Sequence, residues 1–325
     1  MKKALLILLS VIVVAIAGLF AYVSFALPNV AEAEEIDIEA TPERLARGQY
    51  LVETVSGCVD CHSKRDFTKW AGPIKPESKG GGGEGWTEEM GLPGNIYSSN
   101  ITPTNLADWT DGEIVRAIKS GVNKDGRALF PVMPYHNFRH ASKEDIYSIV
   151  SYLRTLEPNS NTPPKSTLNF PMSLIVNFIP SDAEFGEMPD KANTIEYGEY
   201  MTKLAACADC HTPMEKGEYI EGMEFAGGMD LIFEDGSLCR SANLTPDKET
   251  GIGRYTEEEF VNLFKKYNDS IYIDKPLDEN QVNTMMPWLV YKDMTEYDLK
   301  AIYSYLSSLK PINNRIITFE KNKGS

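Results

Sequence analysis

Two pentapeptides of the form Cys-x-x-Cys-His, Cys58-Val59-Asp60-Cys61-His62 and Cys207-Ala208-Asp209-Cys210-His211, constrain this 325-residue chain more than any other feature. Two thiols three positions apart, followed at once by an imidazole, have the spacing with which a chain takes haem covalently. Each thiol adds to one vinyl group, and the histidine lies under the iron. A redox dithiol or half of a zinc site needs only the paired cysteines. The adjacent histidine is superfluous to either, and only Cys239, His136 and His140 remain elsewhere as thiol or imidazole donors. The expectation is two covalently bound haem c groups, one on Cys58, Cys61 and His62 and one on Cys207, Cys210 and His211, with His62 and His211 on the irons.

The surroundings of the two sites are repeated as well. Gly48-Gln49-Tyr50 precedes the first and Gly198-Glu199-Tyr200 the second, and Asn100-Ile101-Thr102-Pro103 corresponds to Asn243-Leu244-Thr245-Pro246. Further on, Trp109-Thr110-Asp111-Gly112-Glu113 corresponds to Tyr255-Thr256-Glu257-Glu258-Glu259, Met133-Pro134-Tyr135 to Met286-Pro287-Trp288, and Leu156-Glu157-Pro158 to Leu309-Lys310-Pro311. The offset changes only between motifs, as insertions in loops make it do. A chain of this length has room for two domains, each with a core around its own cofactor.

Each copy reads as helical. Thr41-Pro42 starts a helix that runs through Tyr50 toward Cys58, with proline where a missing N–H is harmless. Ser142 with Asp145, and Thr295 with Asp298, are capping-box pairs for a last helix, as Thr110 with Glu113 and Thr256 with Glu259 are for a shorter middle one. Behind the last pair of caps, Ile146, Ile149, Val150, Leu153 and Leu156 share their spacing with Leu299, Ile302, Tyr303, Leu306 and Leu309, one apolar helical face written twice.

The second axial donor of each iron must be soft or an imidazole, on a loop between the helical runs. Met133 and Met286 occupy equivalent places, and the prolines behind them favour loops. Met285 competes with Met286, and His136 and His140 compete with Met133, although the second copy has Leu289 and Asp293 at the histidine positions. The Asn-x-Thr-Pro runs are either simple turns or polar groups at the haem edge, and Trp109 and Tyr255 either line that region or belong to the core. Gly80 to Gly83 and Gly85 read as a mobile insert without chemistry. Residues Pro158 to Lys191 read as a linker whose apolar run, Phe170 to Ile179, is too short to cross a membrane and is expected to pack between the two halves.

At the amino terminus, Lys2 and Lys3 precede an uncharged stretch from Ala4 to Pro28, and Glu32, Glu34 and Glu35 follow it. That length spans a bilayer, with the lysines held on the cytoplasmic side and the remainder exported. The alternative is a cleaved signal peptide with Ala31-Glu32-Ala33 as its small-residue site, but the apolar run exceeds the usual length of such a region. A formal charge of −15 argues against nucleic acid as a partner; it either suits redox partners that present a basic patch or simply keeps an exported protein soluble.

With these motifs in place the chain resembles the class I cytochrome c fold, and from Thr41 to Asn313 it resembles the dihaem cytochrome c family. That family includes cytochrome subunits of bacterial membrane-bound alcohol, aldehyde and gluconate dehydrogenases. The resemblance implies an all-α architecture of two tandem cytochrome c domains. Residues 1–29 would be the membrane anchor or signal, 30–160 the first domain, 161–190 a linker and 191–325 the second domain. It also implies a crossing of first and last helices at Gly48 opposite Tyr152 and Gly198 opposite Tyr305, with the haem serving as much of each core. The function implied is non-catalytic. Electrons pass from a dehydrogenase catalytic subunit, through six-coordinate haems with His62, Met133, His211 and Met286 as axial ligands, toward quinone, other cytochromes or a terminal oxidase. The expected place is the bacterial inner membrane, with the haem domains in the periplasm. Two attachment sites, where the dehydrogenase subunits have three, leave the catalytic partner open. The competing class is a haem enzyme such as a dihaem peroxidase or a thiosulfate dehydrogenase. Cysteine ligation as in the latter is disfavoured, because Cys239 aligns with Ile96 and is expected to pack as a small apolar side chain.

Overall fold

Each half of the chain is built on a leading helix crossed by a closing helix, and the two crossings are the most extensive helix contacts in the molecule. The computed structural model describes residues 1–322 apart from 234, 273, 279 and 280, so the last three residues of the expected second domain lie outside the described residues. In the first half the leading helix is Pro42–Tyr50, started by the Thr41 side chain, which accepts from the Arg44 N–H at 3.3 Å. It continues as a π-helical turn, Leu51–Val55, and the first cysteine pair occupies the short helix Cys58–Cys61. In the second half Thr194–Leu204, capped by Asn193, leads to the turn Cys207–His211.

The closing helices are Lys143–Leu153 and Glu296–Ser308. Their repeated apolar faces are where the period placed them. Ile146, Ile149, Val150, Leu153 and Leu156 are all buried, as are Leu299, Ile302 and Leu306, while Tyr303 and Leu309 are half-buried against the same cluster. Middle helices Asp111–Ser120 and Glu257–Lys265 carry complete capping boxes, Thr110 with Glu113 and Thr256 with Glu259. The expected glycine crossings are present too. A β-carbon at Gly48 would overlap the Ser148 carbonyl and lie 2.7 Å from Tyr152 Cβ; one at Gly198 would overlap the Ala301 carbonyl and lie 3.0 Å from Tyr305 Cβ.

Two expectations about the closing helices need correction. Ser142 and Thr295 do accept from the N–H groups of Asp145 and Asp298, but neither carboxylate returns to its own cap. The cap N–H groups go instead to a tyrosine of the other half: Thr295 N–H donates to Tyr50 Oη and Ser142 N–H to Tyr200 Oη, both at 3.0 Å. Each tyrosine then donates to the freed carboxylate, Tyr50 to Asp298 and Tyr200 to Asp145. Arg47 adds two bonds of 2.8 Å to Asp145, and Tyr197, at the matching place in the second copy, donates to Asp298 at 2.8 Å. Burial first, and then the facing carboxylate, push the Tyr50 and Tyr200 phenols well above their ordinary value, so both remain protonated donors. The seam between the halves is thus a reciprocal exchange of caps, and one continuous apolar cluster runs across it.

The chain is not all-α. Strands Gly85–Trp86, Gly94–Tyr97 and Thr167–Leu168 form one antiparallel sheet, Asp230–Ile232, Leu238–Arg240 and Phe319–Glu320 another, and Met214–Glu215 pairs with Glu218–Tyr219. The first two are copies of each other, with Ile96 and Cys239 at the same central-strand position. The reason is backbone accounting: insertions and tails excluded from helices still have to pair their N–H and C=O groups. Two segments were also misjudged from sequence. Gly80, Gly81 and Gly82 are buried, so the glycine run is a packed turn. The start of the linker belongs to the first half, since Asn100 Nδ2 donates to Asn159 O and Asn161 O and Thr167–Leu168 completes its sheet. Nor does the apolar run pack between the halves: Phe170, Ile175, Phe178 and Ile179 are exposed, and only Val176 within it is buried.

Helix Lys2–Phe25 stands apart, with a mean hydropathy of 3.0 over its most apolar window, and among the described residues it is the one helix long and apolar enough to cross a membrane. Its 24 residues extend about 36 Å, against about 30 Å of hydrocarbon in a bilayer.

Candidate functional site

The helical turns Cys58–Cys61 and Cys207–His211 place each histidine at the end of its turn, where the ring meets the chain of the Asn-x-Thr-Pro loop. His62 Nδ1 lies 2.7 Å from Ser99 O, and His211 Nδ1 lies 2.7 Å from Ala242 O. A carbonyl only accepts, so each Nδ1 carries the proton and each Nε2 presents a lone pair, the tautomer that a metal-ligating imidazole needs. Burial lowers the pKa of both imidazoles and keeps them neutral.

The loop that supplies this carbonyl is fixed by its own motif. Asn100 Oδ1 accepts from the Thr102 N–H and hydroxyl at 2.9 and 2.7 Å, and Asn243 does the same for Thr245 at the same distances. From the other side, Gly82 N–H donates to His62 O and Gly227 N–H to His211 O, at 2.8 and 2.7 Å. Both glycines have positive φ, 68° and 70°, and a β-carbon on either would overlap the residue whose carbonyl holds the ring. The glycine run read as a featureless insert therefore shapes the histidine site. The Gly82 and Gly227 pair, and the residue just before each Asn-x-Thr-Pro run, were the signals that sequence reading passed over.

The cysteines fit thioether attachment better than dithiol chemistry. Cys61 and Cys210 are exposed, and Cys58 and Cys207 are half-buried. Burial pushes Cys58, Cys61 and Cys207 up to about 12 and Cys210 up to about 11. Redox-active pairs are tuned the other way, toward thiolate. No cluster of three His, Cys, Asp or Glu side chains able to hold a bare metal ion occurs among the described residues. The donor set, two thiols and one neutral imidazole with Nε2 free at each site, fits haem c.

Both methionines sit on identical turns. Tyr135 N–H donates to Met133 O and Trp288 N–H to Met286 O, each at 2.8 Å, around Pro134 (φ −80°, ψ 48°) and Pro287 (φ −79°, ψ 60°). These are inverse γ-turns that a proline ring pre-sets. Short helices Tyr135–Phe138 and Trp288–Tyr291 follow. Met133 and Met286 pack against the apolar cluster, together with Trp109 and Tyr255. Of the rival histidines, His140 is exposed, and His136 Nε2 is 3.0 Å from Asp209 Oδ1 in the second cysteine motif.

Only the tertiary structure brings two further groups to the second methionine loop. Asn283 is buried; its Nδ2 donates to Phe67 O and Lys69 O, and its Oδ1 accepts from the N–H groups of Ala71 and Thr284. An excursion of the first half is thereby pinned beside Met286, whose own N–H donates to Thr284 Oγ1 at 3.1 Å. Cys239 arrives on its strand at the same place. Burial raises its thiol, opposed by hydrogen bonds from the Met285 backbone and the Thr284 side chain.

The two sites are neighbours. Tyr291 donates to Ala205 O at 2.7 Å, and burial, with Cys207 and Cys210 next, raises its phenol well above the ordinary value. Val290 on the same short helix meets the turn ahead of Cys58, where a β-carbon at Gly57 would lie 3.6 Å from its Cγ1. Asp209 also accepts from Asn137 Nδ2 and from Tyr219 Oη, which ties the first methionine loop to the second motif.

A crossed helix pair, a cysteine-anchored histidine and a proline-led methionine turn define a cytochrome c domain, and residues 195–310 match the cytochrome c family. Over most of its length the chain is similar to cytochrome c subunits of dehydrogenases. It is 27% identical over 288 residues to the cytochrome c subunit of the quinone alcohol dehydrogenase of Gluconacetobacter polyoxogenes, covering 84% of this chain and 58% of that one. It is 25% identical over 301 residues to the gluconate 2-dehydrogenase cytochrome c subunit of Pantoea cypripedii, covering 87% and 63%. A diheme cytochrome c-type protein of Cereibacter sphaeroides is 25% identical over 166 residues, 48% of this chain and 53% of that one. The chain thus spans roughly three-fifths of the two dehydrogenase subunits it matches.

Proposed function

We propose that this chain is a membrane-anchored dihaem c-type cytochrome that relays electrons from a dehydrogenase catalytic subunit toward quinone, another cytochrome or a terminal oxidase. Residues 1–29 anchor it in the bacterial inner membrane, and two cytochrome c domains, meeting at the seam, stand in the periplasm. Cys58, Cys61, His62 and Met133 hold one haem, and Cys207, Cys210, His211 and Met286 the other; bound haem supplies a one-electron iron couple. The supporting observation is the twofold repetition of the histidine site, with Nδ1 spent on a backbone carbonyl and Nε2 left free in both copies. Val290 lies beside Gly57 ahead of the first cysteine pair, and His136 and Asn137 bond Asp209 of the second, so the two sites are close and inter-site transfer needs no domain motion. Methionine beside histidine favours the ferrous state relative to two histidines and leaves no position for substrate.

Replacing Cys58 and Cys61 by alanine should lower covalent haem to about half per chain in a pyridine haemochrome assay, as expected when one of two attachment sites is lost. Retention of the full content would sink the assignment. Mixing the reduced protein with carbon monoxide, and the oxidised protein with peroxide, should leave the haem spectrum unchanged; rapid binding at one haem would transfer the protein to the enzyme class.

Asn283→Ala should act selectively on the second haem. It leaves the buried N–H groups of Ala71 and Thr284 without their acceptor, each worth about 1–3 kcal/mol, and removes a donor from Phe67 O and from Lys69 O, the latter keeping the Gly72 N–H. The charge-transfer band of sulfur-ligated ferric haem is expected to fall by about half while haem content stays constant. A band of unaltered strength would show that Asn283 does not support the Met286 loop.

A further inference from the structure

The segment read as a linker carries its apolar residues outward. Along Met172–Ile175, the turn Val176–Phe178 and the residues flanking them, the exposed apolar positions are Pro171, Ile175, Phe178 and Ile179, spaced as one helical face, and Phe170 precedes them. Phe170 is 80% exposed, Phe178 58%, Ile175 44% and Ile179 39%, whereas Val176 on the opposite side is 6% exposed and seats the segment on the body. Ser166 through Ser181 contains no charged residue, in a chain of which 24% is charged. A water-facing helix has the reverse pattern, polar outward and apolar inward.

The residues immediately after this segment meet the exit of the amino-terminal helix. Asp182 Oδ1 accepts from the N–H of Ala31, six residues beyond the end of that helix at Phe25, at 2.8 Å. These following residues are clamped to the first half: Arg139 donates to Ser181 O and Asp182 O, Lys119 Nζ to Ala183 O, and Gly186 N–H to Ala141 O. Val23 in the last turns of the helix is 4% exposed, and the chain that follows is seated on the first half, where a β-carbon at Gly112 would overlap the Glu34 carbonyl.

We propose that residues 170–179 form an interfacial foot that inserts Phe170, Ile175, Phe178 and Ile179 at the headgroup–acyl boundary of the membrane spanned by helix Lys2–Phe25, an inference that rests on the anchor reading above. A helical face that lies in the plane of the interface buries its apolar side chains at that depth, with a strength that scales with the apolar area buried. Two attachments, one spanning and one lying in the surface, hold the first domain in a fixed attitude to the bilayer. A single anchor would let both domains swing.

The full-length holoprotein carrying p-benzoylphenylalanine at position 178 is irradiated in native membranes, with position 9 in the helix and position 317, exposed at 72% in the distal tail, as references. Mass spectrometry should find lipid adducts at 178 comparable to those at 9 and about tenfold above those at 317, the factor a buried aromatic ring readily supplies. Adducts at 9 but not at 178, or protein cross-links in place of lipid at 178, overturn the foot while leaving the anchor intact. Failure at both 9 and 178 overturns the anchor reading and the foot with it.

Discussion

Gly198→Ala is expected to cost about 3 kcal/mol or more of stability, because its β-carbon has to occupy the space of the Ala301 carbonyl on the closing helix. Neither neighbour can yield by a rotamer change. The obstacle is backbone in mid-helix, and the Tyr305 β-carbon, which no rotamer moves, lies 3.0 Å away. Alanine's better helix propensity returns only about 1 kcal/mol. Gly48→Ala meets the Ser148 carbonyl in the same way and should behave alike. Denaturant unfolding of the holoprotein measures both, with Glu199→Ala as the control: its pair with Lys203 is a solvent-facing i,i+4 contact worth about 0.5 kcal/mol or less. A Gly198→Ala protein as stable as that control would mean that the two helices do not cross at the glycine.

Asp145→Ala should be comparably severe, by a different route. The carboxylate takes two bonds from Arg47, one from Tyr200 and none from its own cap, and only 4% of its side chain is exposed. Removing it leaves a largely enclosed guanidinium without a counter-charge, which typically costs about 3–5 kcal/mol. It also strips Tyr200 of its acceptor at the seam. Calorimetry should therefore show the single cooperative transition of the parent separating into two, one for each half. Adding Arg47→Met should recover part of the loss, since the unpaired charge is then gone. One transition at the parent temperature in Asp145→Ala would remove the seam from the account of how the halves are held together.

Much of this was legible in the chain because it is local. A cysteine-pair spacing, a capping threonine and an apolar period of 3.6 act over a few residues, and each was found where its pattern lay. Reading two copies against one another extended this reach: it matched Met286 to Met133, and Cys239 to Ile96, positions that prove to be equivalent in strand register. The misreadings share a cause. Gly80–Gly83 and residues 158–168 have no period of their own, and their placement comes from neighbours distant in sequence, Ser99 for Gly82 and Asn100 for Asn159. Asp145 and Asp298 satisfy a capping box on paper, yet a tyrosine from the other half supplies the second bond in each case.

The sequence by itself determined that two cysteine–histidine sites lie in duplicated helical units behind an apolar leader, since adjacency along the backbone is enough to specify each of these. Only the tertiary structure decided that Tyr50 and Tyr200 exchange places across a seam, that Asn137 behind the first methionine turn bonds Asp209 of the second cysteine motif, and that Asn283 ties the first half to the second methionine loop. Those partners are separated by as many as 248 residues, and no periodicity spans such a distance. Their meeting depends on how two complete units dock, which is set by the shape and polarity of finished surfaces.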